Sequence, residues 1–226
     1  EKFDYKVMYY YEGKLDDTKT EVLKGGYEDI IGSYPDKSEG KYEVEKTENF
    51  PLKVSMNPNS NIIKVYYTKK MSSITVHYYL NNTTTPVSQD VVIKDYVDTV
   101  HKIKEASDIA EKYELVKKPD SEEITMTGEP IEVTYVYKLK DAEVIVNHVE
   151  KSTGKLLETE TLKGLVDEQY HAMPKAIKGY KVISSETPLN EIGKMTLEPI
   201  TVTYYYEYAP EQTTPDKTEV EGEKDT

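Results

Sequence analysis

The chain has 226 residues and a formal net charge of −13, and all of its basic residues are Lys. This negative balance argues against sequence-independent nucleic-acid binding, which depends on cationic neutralisation of phosphates. The absence of Cys excludes disulfides, thiolate catalysis and zinc–thiolate sites, while the 21 Tyr favour a protein built from β-strands.

Four sequence markers occur in the same order three times along the chain. The first marker opens each segment with a strand pattern, and the last closes it with alternating β-branched residues and Tyr. The markers begin at Val7, Leu23, Tyr42 and Ile63, then at Val76, Ile93, Tyr113 and Val133, and finally at Val146, Leu162, Tyr180 and Val202. This repetition predicts three tandem domains at residues 1–71, 72–140 and 141–208 rather than one large fold.

Each segment opens with a strand–turn–strand pattern. The presumed core face of the first strand carries Tyr5, Val7 and Tyr9 in the first segment and Ile74, Val76 and Tyr78 in the second. Turn residues follow at 12–14, 81–83 and 152–154, and second strands run through 22–23, 91–93 and 161–162. A short turn between two such strands predicts an antiparallel hairpin.

The stretch between the second strand and the Tyr42-type marker varies among the segments. In the second segment the spacing predicts a short amphipathic helix whose apolar face is formed by Val100, Ile103, Ala106 and Ala110. Pro35 and Pro174 interrupt the equivalent stretches of the other two segments. Since proline breaks helices, a loop is predicted there.

Each segment closes with a strand of period two, the pattern of a half-buried strand. The core-facing residues are predicted to be Ile131, Val133, Tyr135 and Tyr137 in the second segment and Ile200, Val202, Tyr204 and Tyr206 in the third. Residues 209–226 contain six acidic residues against two Lys and no apolar periodicity. This composition predicts an acidic, Thr/Pro-rich linker that is disordered or extended.

The repeated markers resemble a known family. The pattern VxVxYY, then LKG, then GYxV, then xVTYxY, clearest over Val144–Tyr206, is similar to the MucBP (mucin-binding protein) repeat of Gram-positive surface proteins. The resemblance covers roughly residues 3–208. The first and second segments diverge from the pattern. In the third segment Gly179 precedes the Tyr of this marker, whereas Lys41 and Lys112 stand at that position in the first and second.

This resemblance implies an α+β, strand-dominated fold of three ubiquitin-like β-grasp modules arranged as an elongated rod. The first and last strands of each module would lie side by side in its sheet. The resemblance also implies an extracellular protein at the bacterial cell surface, anchored covalently to the wall by a sorting signal outside this segment. Since the chain has no apolar run of the ~20 residues that span a bilayer, no membrane insertion is predicted for the segment itself.

The sequence contains no motif for catalysis or metal binding. HExxH, GxSxG, phosphate-binding and dinucleotide-binding patterns are all missing. His148 takes a core-facing position and is predicted to be a hydrogen-bonded packing residue, whereas His77 faces the opposite way. His101 and His171 lie in the variable stretch and are predicted to be exposed. We therefore predict no enzyme activity, no cofactor and no metal site.

Four tyrosines are predicted to lie on the face opposite the core: Tyr10, Tyr66, Tyr79 and Tyr205. Cross-strand pairs of this kind stabilise a small sheet by about 0.2–1 kcal/mol each. Rigid aromatic surfaces are also good recognition platforms and stack on the apolar faces of sugars. Both roles remain open from the sequence.

Two functions follow from these observations. In the first, the segment adheres to mucin or to other glycoprotein glycans, and several weak sites in tandem gain avidity. In the second, the repeats form a structural stalk or spacer that presents another domain away from the wall.

Overall fold

A computed structural model describes residues 1–211, and within them it contains nineteen β-strands, three one-turn 3₁₀ helices and no α-helix. The 3₁₀ helices are Asp17–Lys19, Pro58–Ser60 and Ser184–Glu186. The fold is therefore strand-dominated, as predicted. The acidic linker predicted at residues 209–226 lies outside the described residues from position 212 onward.

The strands fall into three consecutive groups. The first repeat contains β1 (Lys2–Tyr11), β2 (Lys14–Leu15), β3 (Glu21–Gly26), β4 (Ile30–Ile31), β5 (Tyr42–Glu48), β6 (Leu52–Lys53) and β7 (Ile62–Lys69). The second contains β8 (Met71–Leu80), β9 (Val91–Tyr96), β10 (Val100–Lys102), β11 (Tyr113–Lys117), β12 (Glu123–Thr125) and β13 (Ile131–Leu139). The third contains β14 (Asp141–Glu150), β15 (Leu156–Leu165), β16 (Gln169–His171), β17 (Tyr180–Val182), β18 (Ile192–Lys194) and β19 (Ile200–Tyr208).

All three repeats have the same main sheet. The strand order is β3-β1-β7-β5 in the first, β9-β8-β13-β11 in the second and β15-β14-β19-β17 in the third. The opening strand pairs antiparallel with its hairpin partner, as the turn signals predicted. It also pairs in parallel with the closing strand, so the side-by-side placement implied by the resemblance is confirmed.

A two-stranded ribbon packs beside each main sheet, formed by β4-β6, β10-β12 and β16-β18. The helix predicted through Val100, Ile103, Ala106 and Ala110 is therefore wrong. Val100 pairs with Thr125 in the ribbon, and it is exposed while Ile103 is buried. The apolar residues of this stretch thus do not share one side, and its backbone is stabilised by pairing with a strand that is distant in sequence.

The core of each repeat lies between the main sheet and the ribbon. On β1 and β8 the buried residues are Tyr5, Val7, Tyr9, Ile74, Val76 and Tyr78, as predicted. On the closing strands Tyr135, Tyr137, Val202, Tyr204 and Tyr206 are buried. Leu52 on β6 is also buried, as are Met126 and Met195, which directly follow the ribbon strands β12 and β18. The period-two pattern therefore identified the core face of these strands correctly.

Buried tyrosine hydroxyls hold a crossing segment against each sheet. We define the crossing segments as residues 32–41, 103–112 and 172–179, which connect the ribbon to the edge strand of the main sheet. The backbone N–H groups of Lys37, Ala106 and Lys175 donate hydrogen bonds of 3.0, 3.0 and 2.9 Å to the hydroxyls of Tyr67, Tyr137 and Tyr206. These three bonds identify structurally equivalent positions in the three repeats.

The chain divides into two compact units. The first consists of Glu1–Ala110 and Leu115–Lys138, and the second of Glu111–Glu114 together with the described residues from Leu139 onward. The first two repeats therefore share the first unit. A single residue, Lys70, separates the end of β7 from the start of β8 within it.

Candidate functional site

The outward face of the first repeat carries a stacked pair of tyrosines. Tyr10 on β1 and Tyr66 on β7 are direct neighbours in the parallel ladder. Their ring centroids are 4.6 Å apart and the ring planes differ by 19°. The two sequence-predicted residues thus form one half-buried aromatic surface.

Lysines flank this Tyr10–Tyr66 pair on the sheet. The Lys46 Nζ lies 4.7 Å from the centroid of the Tyr66 ring, and the Lys64 Nζ lies 5.9 Å from that of Tyr10. Desolvation raises the pKa of Tyr66, and a hydrogen bond with Glu48 adds to the rise. The pair therefore presents an amphipathic aromatic surface beside two lysine ammonium groups, a combination suited to polar ligands with apolar faces.

In the second repeat the outward aromatic is paired with histidine rather than tyrosine. Tyr79 stacks on His77, with centroids 4.9 Å apart. The Nδ1 of His77 lies 2.9 Å from Asp90 and its Nε2 lies 3.2 Å from Glu132. Partial desolvation lowers the pKa of His77, but the hydrogen bonds to the two carboxylates outweigh it, so the pKa is raised.

In the third repeat Tyr205 is half-buried on the outward face, and the Lys151 Nζ lies 4.4 Å from the centroid of its ring. All four predicted tyrosines therefore lie opposite the core, but only Tyr10 and Tyr66 stack on each other within residues 1–211. The binding role of the four stays a prediction.

The remaining histidines do not form a site. His148 is fully buried and hydrogen-bonded to the Tyr206 hydroxyl at 2.8 Å, which confirms the packing role predicted for it. His101 is partly exposed and lies 2.9 Å from Asp95, and His171 is exposed. Among residues 1–211 no group of three or more His, Asp or Glu side chains is placed to hold a metal ion. Nor does this part of the chain contain a helix long and apolar enough to cross a bilayer.

The sequence did not reveal a cleft in the second repeat. We call it the second-repeat cleft; it lies between β9 and the crossing segment 103–112 and has a volume of about 370 Å³. Its lining includes Val76, Tyr78, Asp90, Val91, Ala106 and Asp108. An adjoining cavity of about 810 Å³ shares Asp90 and Asp108 and is also lined by Tyr79.

Three repeats of one sheet topology define a strand-built tandem-repeat protein. The family model of the MucBP domain matches residues 73–138 and 143–207, which together make up more than half of the chain. The chain therefore belongs to the MucBP domain family, and the resemblance seen in the repeated markers is confirmed.

Two curated relatives are internalins of Listeria monocytogenes. Internalin J of serotype 4b (strain F2365) is 36% identical over 140 residues, which are 61% of this chain and 15% of that protein. Internalin I of serovar 1/2a (strain ATCC BAA-679 / EGD-e) is 31% identical over 86 residues, or 36% of this chain and 5% of that protein. The chain thus spans only a small part of the length of these relatives.

Among solved structures, the type 2 repeat of the mucus binding protein MUB from Lactobacillus reuteri is similar over 91% of this chain and 98% of its own. The sequence identity is 16% and the TM-score is 0.23. A score of this size does not establish a shared arrangement.

Proposed function

We propose that this chain is a non-catalytic, extracellular repeat segment of a bacterial cell-wall-anchored surface protein, and that it adheres to mucin or other glycoprotein glycans. Membership of the MucBP domain family and the similarity to internalin J support this proposal. The covalent anchor is supplied by a sorting signal outside the segment. We also propose that the chain forms three domains, each with a β-grasp fold, and that they are arranged as a rod. The domains are residues 1–71, 72–140 and 141–208.

The observation that carries the proposal is the stacked Tyr10–Tyr66 pair. Its rings are held by neighbouring strands, so little side-chain entropy is lost when a ligand binds. The apolar face of a sugar ring packs on the aromatic surface, and its hydroxyls reach the tyrosine hydroxyls and the ammonium groups of Lys46 and Lys64. Each such contact is weak, and tandem repeats compensate through avidity.

The test is binding of the full chain to mucin and to an array of O-glycans. We expect saturable binding that falls at least about tenfold when Tyr10 and Tyr66 are both replaced by Ala, because stacked aromatics are typical binding hot spots. Tyr27→Ala is the matched control, since Tyr27 is an exposed tyrosine of the same repeat that contacts Phe3 instead of the pair. Binding that is absent, or equally strong in the double variant, contradicts the proposal.

A second candidate function is a stalk that presents another domain away from the wall. Two observations in the first unit favour it: only Lys70 separates β7 from β8, and the carbonyl of Gly40 in the first repeat closely contacts Gly128 in the second. Both features restrict bending between these repeats. Failure of the full chain to bind any glycan would favour this function.

A further inference from the structure

At the second-repeat cleft, the second repeat differs from the first and the third. In the first and third repeats an ion pair bridges the crossing segment and the hairpin partner strand. Lys37 contacts Glu21 at 2.6 Å, and Lys175 contacts Glu158. These pairs span the gap between the two elements.

The second repeat lacks the residues that make this bridge. Ala106 stands at the position of Lys37 and Lys175, because its N–H donates to the equivalent tyrosine hydroxyl. On the hairpin partner strand, Val91 lies opposite Val76 just as Glu21 lies opposite Val7. Two uncharged, shorter side chains therefore replace the lysine and the glutamate of the first repeat, and a cleft of about 370 Å³ lies between them. Ligand pockets of proteins have volumes of about 300–1,000 Å³.

The walls of this cleft combine an apolar floor with a polar rim. Val76 and Tyr78 form part of the floor and are almost completely buried. The Ser88 hydroxyl donates a 2.6 Å hydrogen bond to Asp108, which fixes that carboxylate at the rim. Asp90, held by His77, lines both the cleft and the adjoining cavity, where Tyr79 adds an aromatic edge.

We propose that the second-repeat cleft binds an uncharged, hydroxyl-rich sugar residue, which deepens the proposed glycan adhesion and rests on it. Carboxylates accept strong, charge-assisted hydrogen bonds from sugar hydroxyls. The lining includes three carboxylates, Asp90, Glu105 and Asp108, against the lysines Lys102 and Lys104. Sialylated or sulfated sugars are therefore disfavoured relative to neutral ones.

The first experiment is an NMR titration of the ¹⁵N-labelled full chain with galactose and with N-acetylgalactosamine, each compared with sialic acid. We expect saturable shifts for the neutral sugars in the amides of residues 88–91 and 104–108. The absence of such shifts at saturating neutral sugar, or equal shifts with sialic acid, would overturn the proposal. Because no mucin is involved, this result is independent of the adhesion assay.

The second experiment rebuilds the missing bridge. The double variant Val91→Glu, Ala106→Lys introduces the ion pair of the first repeat and fills the cleft, so the affinity of the cleft for neutral sugar should fall at least about tenfold. The control variant Val92→Glu, Val116→Lys adds the same charges at exposed positions that do not line the cleft. It should bind like the parent chain.

A third variant, Asp108→Asn, keeps the size of the side chain and removes its charge, so it tests the rim without filling the cleft. We expect a several-fold loss of neutral-sugar affinity with an unchanged thermal unfolding midpoint. If Tyr10→Ala, Tyr66→Ala abolishes glycan binding while the cleft variants leave the neutral-sugar affinity intact, the cleft proposal fails and the adhesion proposal stands.

Discussion

At the residue scale, His77 shows how a surface histidine becomes sensitive to pH. It lies on the outward face, stacked on Tyr79 and in contact with Asp90 and Glu132. Its pKa is raised above the ordinary value of 6.5 in spite of the opposing desolvation. The folded chain thus binds this proton more tightly than the unfolded chain does. Its contribution to stability is fully present below the unfolded pKa and is lost as the pH rises through the folded pKa.

We predict that NMR titration of the His77 ring gives a pKa above 6.5, and that Glu132→Gln lowers it by removing one of the two carboxylate partners. Asp90→Asn should lower it as well. Glu129→Gln, an exposed carboxylate outside these contacts, is the control. A His77 pKa that does not respond to either partner substitution would contradict the assignment.

Single residues also show what the sequence could predict about the site. The alternation of apolar and polar residues placed Tyr10, Tyr66, Tyr79 and Tyr205 on the outward face, because side-chain direction in a strand depends only on local period. Cross-strand pairing was one of the two roles predicted for them, but the sequence did not identify Tyr10 and Tyr66 as the pair, since the two are joined by the register of a parallel ladder across more than fifty residues. The pattern within either strand does not identify which residue of the other strand lies opposite a given tyrosine.

At the element scale, the hairpins and closing strands were predictable and the ribbons were not. The strands of the main sheets are long and strongly periodic, whereas the ribbon strands have two or three residues each. In such short pieces, spacing alone does not separate helix from strand. The sequence also did not predict the cleft. The cleft lies where the second repeat lacks a Lys–Glu ion pair, and this difference is visible only when the structure matches Ala106 to Lys37 and Val91 to Glu21.

The junction of the first two repeats provides a prediction about elements. A Cβ at Gly128, between β12 and β13, would overlap the carbonyl oxygen of Gly40, which is backbone and has little freedom to move. We therefore expect Gly128→Ala to lower the free energy of unfolding of the first unit by about 1–3 kcal/mol, the usual cost of overpacking.

Urea denaturation of the full chain measures this change. Gly32→Ala is the control, because a Cβ there meets no atom within 4 Å and the backbone is not left-handed. An equal effect of the two substitutions would show that Gly128 does not lie close against the carbonyl oxygen of Gly40.

At the scale of the whole molecule, the repeats keep one topology and vary their surfaces. The matched outward position carries Met8, His77 and Asn147 in turn. The first repeat has a stacked tyrosine pair and the second has an open cleft, and both belong to the first compact unit. The repetition was predicted from the sequence, but the different surfaces of the first and second repeats were not. They depend on side chains that differ from one repeat to the next, whereas the sequence markers are the residues that the repeats share.

Two different weak sites in one unit predict binding that depends on the density of the ligand. On densely glycosylated mucin both sites engage together, so loss of either one removes the avidity, a decrease of about 10²-fold. On free monovalent sugar, each substitution removes one site and leaves the affinity of the other unchanged. We therefore expect the same result for two double variants, Tyr10→Ala with Tyr66→Ala and Val91→Glu with Ala106→Lys. Each should greatly weaken binding to mucin, while the affinity of the unsubstituted site for free sugar stays the same. If a variant lost the same factor of affinity for mucin as for free sugar at the substituted site, the two sites would bind independently and avidity would not contribute.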